Sequence, residues 1–356
     1  MMTQTVLVTG GVGFIGSAFC RYLLARGDVR IVCVDSMTYA ANPLTLDEMA
    51  GNPRFDFRRV DIRDEAALNL VFADAQPDFV FHFAAESHVD RSIDGPQAFA
   101  ETNVLGTLIL LQEARRHFES LPRARREAFR FVHVSTDEVY GSLGPTGSFT
   151  EETPCAPNSP YSASKAGSDH MARAWFQTYG MPTIVTRCSN NYGPYQFPEK
   201  LIPTMILAGL EEKPLPVYGD GMQVRDWLYV DDHVRALIAI CERGRPGEIY
   251  NIAGTAEVPN LDVVHTLCDI LDEVRPAGRP RRGLITHVTD RRGHDRRYSI
   301  DDSKLRREVS FAPQVAFADG LRRTVLWYLE NGAWWEPIRA GVYQGARLGL
   351  GTLART

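Results

Sequence analysis

The run Thr9-Gly10-Gly11-Val12-Gly13-Phe14-Ile15-Gly16 follows a short apolar, β-branched stretch and opens a helical pattern. A strand that turns through glycines into a helix aims backbone N–H groups and a helix N-terminus at one point, where a pyrophosphate can sit. The spacing is GxxGxxG rather than GxGxxG, and glycines at such a turn also serve simply to relieve crowding. Context favours the first reading, because the second apolar run ends at Asp35, 19 residues after Gly16. A carboxylate there accepts the hydroxyls of an adenosine ribose and repels a 2′-phosphate, which selects NAD over NADP. Asp61-Ile62, at the end of a third run, is placed to meet the adenine.

The runs Val6 to Thr9, Arg30 to Asp35, Phe55 to Asp61, Phe79 to Ala84, Phe129 to Ser135 and Thr183 to Arg187 read as strands. Helices are expected between them at Phe14 to Ala25, Glu65 to Asp74, Gln97 to Phe118 and Ala163 to Tyr179. This alternation, with almost no polar residues inside the strands, predicts an α/β fold of Rossmann type: a doubly wound parallel sheet buried on both faces. Beyond Arg187, prolines at 194, 198, 203, 214 and 216 and shorter elements predict a smaller mixed α/β lobe for substrate. Glu248 to Ala253 reads as one more core strand. The expected division is therefore a dinucleotide-binding unit at 1–187 plus about 226–255 and a second unit at 188–225 plus about 256–340. A flexible Gly-rich tail is expected at 341–356.

With 356 residues and 44% hydrophobic content the chain can bury a sizeable core. A net charge of −5 provides no global positive field, which argues against nucleic acid as a partner. The basic runs Arg123 to Arg126 and Arg279 to Arg282 lack interleaved aromatics and read as solvated loops. Six scattered cysteines with no CxxC pair imply a reduced, cytoplasmic protein and no metal site. No apolar run has the pattern of a signal peptide or approaches the ~20 residues that span a bilayer, so no membrane association is expected.

Tyr161 and Lys165 stand at i and i+4, on one face of a helix. An ammonium beside a phenol lowers its pKa, which predicts a phenolate able to act as a base at neutral pH. Such a pair is common on exposed helices, so position decides. The fifth strand runs directly into Thr136-Asp137-Glu138, beyond a strand's carboxyl end, where open α/β sheets bind ligands. Adjacent acids in a turn are usually solvated or capping. In different environments, however, they can supply both the acid and the base that elimination of water requires.

Thr136-Asp137-Glu138, Tyr161 and Lys165, with the glycine turn, resemble the dTDP-glucose 4,6-dehydratases of the extended short-chain dehydrogenase/reductase family. Ala84 to Ser92, Ser189 to Leu201 and Arg225-Asp226-Trp227 match as well, and the likeness spans about residues 4 to 338. It implies oxidation at sugar C4 by NAD, loss of water across C5 and C6, and reduction at C6. Tyr161 would take the 4-hydroxyl proton while Thr136 holds that hydroxyl. Glu138 would remove the C5 proton, and Asp137 would protonate the departing C6 hydroxyl.

Carried over by position, Gly10, Gly13, Phe14, Ile15, Gly16, Asp35, Ser36, Met37, Thr38, Asp61, Ile62, Phe83, Ala84, Ala85, Thr102, Tyr161, Lys165 and Asn191 would bind NAD. Ser87, Thr136, Asn190, Lys200, Leu201, Pro216, Val217, Tyr218, Arg225, Asn260, Asp290, Arg291, His294 and Arg296 would bind dTDP-glucose. Lys200, Arg225, Arg291 and Arg296 are the cations a diphosphate needs.

Ser36 stands where relatives often carry lysine, and Arg292 where the Asp290-to-His294 stretch often has proline. His88 and His294 read equally as packing or capping residues, and Tyr192 and Trp227 as core aromatics. The resemblance also implies a homodimer in which Gln97 to Phe118 and Ala163 to Tyr179 form a four-helix bundle.

Two rivals remain. A UDP-sugar 4-epimerase or decarboxylase of the same fold needs no Asp137-Glu138 pair, and a silent NAD-sensing regulator needs no reactive groups. The choice between dTDP and UDP rests on pocket shape rather than charge.

Overall fold

A computed structural model describes residues 4–342, apart from the Val342 side chain, so most of the expected tail lies outside the described residues. The strands are β1 (Gln4–Thr9), β2 (Val29–Asp35), β3 (Phe55–Arg59), β4 (Phe79–His82), β5 (Arg130–Thr136), β6 (Thr183–Cys188), β7 (Asn190–Tyr192), β8 (Leu215–Tyr218), β9 (Val224–Tyr229), β10 (Ile249–Ile252), β11 (Ala256–Pro259) and β12 (Ile285–Val288). Seven of them form one sheet in the order β10-β6-β5-β4-β1-β2-β3, with every pairing parallel.

Alternation along β1 shows why this sheet is buried twice over. Val6 and Val8 pack on one face with Phe19, Ile31 and Leu237, while Leu7 packs on the other with Leu68, Leu110 and Phe131. The chain winds outward from β1 in one direction through β2 and β3, and in the other from β4 through β5 and β6. The order reverses between β1 and β4, and the crevice beyond their carboxyl ends is where this topology binds ligands.

The smaller lobe holds a three-stranded sheet, β11-β9-β7, and the pair β12-β8. Tyr192, fully buried, and Trp227 belong to its core, with ring centroids 6.1 Å apart. Among the described residues no helix is long and apolar enough to cross a membrane.

Three local expectations need correction. The helix expected over Gln97 to Phe118 is Pro96–Phe99 and Thr107–Ser120 joined by a π-helical stretch, Ala100–Gly106. The wider turn lets the Asn103 amide donate both to the Glu86 carbonyl and to Ser164 Oγ, tying the β4 loop to a neighbouring helix. That helix spans Pro160–Tyr179 and starts three residues before Ala163, because Ser159 and Ser162 form a capping box and Pro160 fits its first position. The basic runs are not solvated loops: Arg123–Ala128 is a short helix, and Arg281 is buried, bonded to Asp272 and the Gly209 carbonyl.

Candidate active site

The glycine turn is as tight as its composition suggests. Gly10 has φ +71°, and a Cβ on it would lie 2.6 Å from the Ala84 nitrogen; one on Gly16 would lie 2.1 Å from the Gly10 carbonyl oxygen. The helix Phe14–Arg26 begins at Gly13 with no side-chain cap, so its first N–H groups face the crevice unclaimed by a cap. Asp35 ends β2 beside this turn and accepts the Val12 and Met37 N–H groups at 3.0 and 2.8 Å. Burial pushes its carboxyl up while those two bonds oppose the shift. The cradle therefore fits a dinucleotide: backbone donors for a pyrophosphate, and a carboxylate one strand away for a ribose.

One cavity runs from this turn to the ends of β5 and β6. Its wall includes Gly10, Gly13, Phe14, Ile15, Gly16, Asp35, Ser36, Thr38, Asp61, Ile62, Phe83, Ala84, Ala85 and Thr102, then Thr136, Asp137, Glu138, Tyr161, Lys165, Asn191, Ser87, Asn190 and Lys200. Met37 is not on that wall. Its φ is +57° and its side chain packs toward the core, so only its backbone serves Asp35.

The acid pair occupies two environments. Asp137 is 1% exposed, and its Oδ2 has no hydrogen-bond partner. Burial, then Glu138 and Asp226, hold its carboxyl well above the ordinary range. Glu138 is also pushed up by burial, but Arg291, Arg225 and Lys200 pull in the other direction. Asp137 is thus the member whose surroundings favour the protonated form, and Glu138 the one that cations favour as carboxylate.

Tyr161 departs from the expectation of a phenolate. Burial, followed by the negative field of Glu138, raises its phenol well above the usual value, opposed by the Thr136 hydroxyl. Lys165 Nζ donates instead to the Val134 carbonyl at 2.9 Å, and burial brings its ammonium down to about 8.

The remaining residues expected around substrate lie off the wall of this cavity, on the adjoining lobe. Arg291 pairs with Asp90 at 3.0 Å, and Asp90 also accepts the Tyr218 hydroxyl at 3.1 Å. His294 sits 2.6 Å from Asp290 and is held down to about 4 by burial; Arg296 pairs with Asp220 at 2.9 Å. Arg225 is buried over the Tyr298 ring, 4.3 Å from its centroid, and Asn260 Oδ1 is buried without a partner. Leu201 opens a helix, and Pro216 faces Thr286 in the β8–β12 pair. Val217 departs from the expectation, since it is 2% exposed inside the lobe's apolar core.

Exposed Arg292 occurs beside Gly293, which takes φ +62° and therefore supplies the turn itself. His88 caps the helix Val89–Asp94 and burial drops it to about 2, which suits a structural rather than a proton-carrying histidine. Sequence reasoning missed the cavity-lining Arg63, Glu86 and Glu199. It also passed over Asp226, which accepts Ser189 Oγ at 2.5 Å and is raised to about 6 by burial. Arg63 follows Asp61 and clamps it at 2.7 Å. The signal was an arginine two residues from a predicted ligand.

A doubly wound parallel sheet with this glycine turn and a Tyr-x-x-x-Lys pair beyond its carboxyl ends defines the extended short-chain dehydrogenase/reductase fold. More narrowly, the chain belongs to the family described as GDP-mannose 4,6 dehydratase, whose model matches residues 7–324. It is 56% identical over 353 residues to a dTDP-glucose 4,6-dehydratase of Neisseria meningitidis serogroup B, covering 98% of this chain and 99% of that one. Among solved structures, the dTDP-glucose 4,6-dehydratase DesIV of Streptomyces venezuelae, with NAD and TYD bound, is 49% identical with a TM-score of 0.86. The match covers 94% of this chain and 100% of that one. A UDP-glucuronic acid 4-epimerase of Bacillus cereus, in complex with UDP-glucuronic acid and NAD, is 28% identical with a TM-score of 0.81, covering 92% and 99%.

Proposed function

We propose that the chain converts dTDP-glucose into dTDP-4-keto-6-deoxyglucose, with NAD retained through the cycle. The observation that carries this reading is Asp137, a buried carboxyl whose pKa burial raises and whose Oδ2 is unpartnered, adjacent to a Glu138 that three cations face. Elimination of water needs such an acid and base together, whereas epimerisation at C4 needs neither. Identity of 49% to a dehydratase against 28% to an epimerase points the same way.

Gly10, Gly13, Phe14, Ile15 and Gly16 would hold the dinucleotide's pyrophosphate, Asp35 its ribose, and Asp61 and Ile62 its adenine. Bound there, the dinucleotide supplies the acceptor and later the donor of the electron pair moved at C4 and C6. Within the chain, Thr136 fixes the sugar 4-hydroxyl and Tyr161 takes its proton. Taking it requires the phenolate: burial and Glu138 raise the phenol's pKa, and Lys165, the cation on the same helix face, is the group of this chain placed to favour the phenolate. Once C4 is a ketone the C5 proton is acidic. Glu138 removes it, Asp137 protonates the leaving C6 hydroxyl, and water departs. Lys200, Arg225, Arg291 and Arg296 answer the diphosphate of the substrate.

The dinucleotide unit is assigned to 1–187 plus about 226–255, and the sugar-nucleotide unit to 188–225 plus about 256–340. Placement of β10 in the main sheet and of β8 with β12 supports that division, while β9 straddles it and carries Asp226 toward Asp137. A homodimer through a four-helix bundle of the two long helical segments, on which Leu105 and Tyr179 are exposed, belongs to the same reading. Free cysteine thiols support a reducing, cytoplasmic setting.

Incubation of the purified protein with dTDP-glucose and, separately, with UDP-glucose tests the assignment. A product of the first that has lost one water and gained a C4 ketone is expected. Unchanged mass with inverted C4 would overturn it in favour of an epimerase.

A further inference from the structure

One turn beyond Lys165 on the same face of the helix Pro160–Tyr179 lies Asp169, 2% exposed and not part of the cavity wall. Its Oδ2 accepts Arg187 Nε of β6 at 2.9 Å, and His133 Nε2 of β5 lies 3.3 Å from its Oδ1 and 3.1 Å from Ser168 Oγ. Arg187 is fixed in turn, its guanidinium 4.6 Å from the Tyr140 ring centroid and 3.3 Å from Cys155 Sγ. A buried acid is costly unless a paired charge offsets its desolvation, and Arg187 supplies that charge here.

We infer that Asp169 is a positioning residue for the proposed reaction: its buried carboxylate keeps the Lys165 ammonium charged and seated against the Val134 carbonyl. This rests on the dehydratase reading above, and it adds a second buried layer to the site.

The groups facing Lys165 leave few alternatives. Two raise its pKa against desolvation, Asp169 and Cys188, and the Cys188 thiol is driven up by burial and stays neutral. His133 is held down to about 4 and His82, on β4, well below its usual value, each chiefly by burial, so both are neutral at working pH. Burial pushes the Tyr161 phenol, on the same helix, well above its usual value. Burial works against the Asp169 carboxylate too, but His133 and Arg187 more than offset it and hold its pKa below the ordinary range. Asp169 is therefore ionised wherever the enzyme works. It is the anion that acts on Lys165, and Arg187 holds it in place.

Lys165 can be followed directly in protein labelled with 15N-lysine, its Nζ signal identified by loss in Lys165→Met. The wild-type signal should titrate near 8. Asp169→Asn should move that titration down by about 1–3 pH units, the usual effect of an opposite charge at close range, with Asp169→Glu restoring it. The alkaline limb of kcat for dTDP-glucose should shift the same way, with bound NAD per chain unchanged. An unmoved Lys165 titration in folded Asp169→Asn would overturn the inference. So would a wild-type Lys165 that is already neutral at pH 7, a result available even if Asp169→Asn does not fold. Neither titration requires turnover, so a wild type inert toward dTDP-glucose would sink the functional reading and leave this inference to be judged on the lysine alone.

Discussion

Gly16 stands so close to Gly10 that a Cβ at position 16 would lie 2.1 Å from the Gly10 carbonyl oxygen. The obstruction is backbone, so a side chain here must push the whole turn out of shape. Gly16→Ala should purify with little bound NAD and lose turnover on the order of a hundredfold, the usual result of misplacing reacting groups by an ångström. Absorbance of nucleotide released on denaturation and kcat at saturating NAD measure both.

Asp137 and Glu138 divide the elimination between them, so their neutral isosteres should fail differently. Asp137→Asn is expected to stall with the C6 hydroxyl still in place while C5 continues to exchange its proton with solvent. Glu138→Gln should abolish that exchange. Each should lower kcat by about 10²–10⁴-fold, the range for loss of a general acid or base. Mass spectrometry of the quenched sugar nucleotide separates the two outcomes.

The pH profile follows from the same pair. Glu138 must be ionised, and burial raises its pKa, so activity should climb through a value above that of an ordinary glutamate. Asp137 must be protonated and Lys165 charged, and both lose their protons as pH rises, the lysine near 8. A bell is expected. Its limbs report macroscopic constants of a coupled site rather than single residues. An Asp137→Asn profile with its residual alkaline limb set by Lys165 alone would locate the two contributions.

Arg281 gives a test of stability away from the chemistry. It is buried, bonded to Asp272 at 2.7 Å and to the Gly209 carbonyl at 2.9 Å. Arg281→Ala leaves both partners short of a donor and should cost ~2 kcal/mol in urea unfolding, typical for a hydrogen bond to a charged group. Turnover per folded enzyme should be unchanged.

Much of this was legible in the chain because buried parallel strands must be apolar throughout, and the runs ending at Thr9, Asp35 and Ser135 are. The glycine turn and Asp35 were legible for a similar reason: a pyrophosphate site constrains backbone and spacing before it constrains side chains. What escaped depended on long-range packing. The π-helical stretch at Ala100–Gly106 exists because Asn103 finds partners at Glu86 and Ser164, which lie far from it in sequence. Arg281 looked like part of a solvated run because its partners Asp272 and Gly209 are brought to it only by folding. The upward push on the Tyr161 phenol escaped too, since i, i+4 spacing announces the lysine but not the desolvation and the glutamate that raise it.

The most direct test of the central claim is turnover of dTDP-glucose in deuterated water, with the product examined by NMR. A 4-keto-6-deoxy sugar carrying one solvent deuterium at C5 is expected, since C5 loses and regains its proton during elimination and reduction. A C4-inverted sugar with no deuterium at C5 would contradict it.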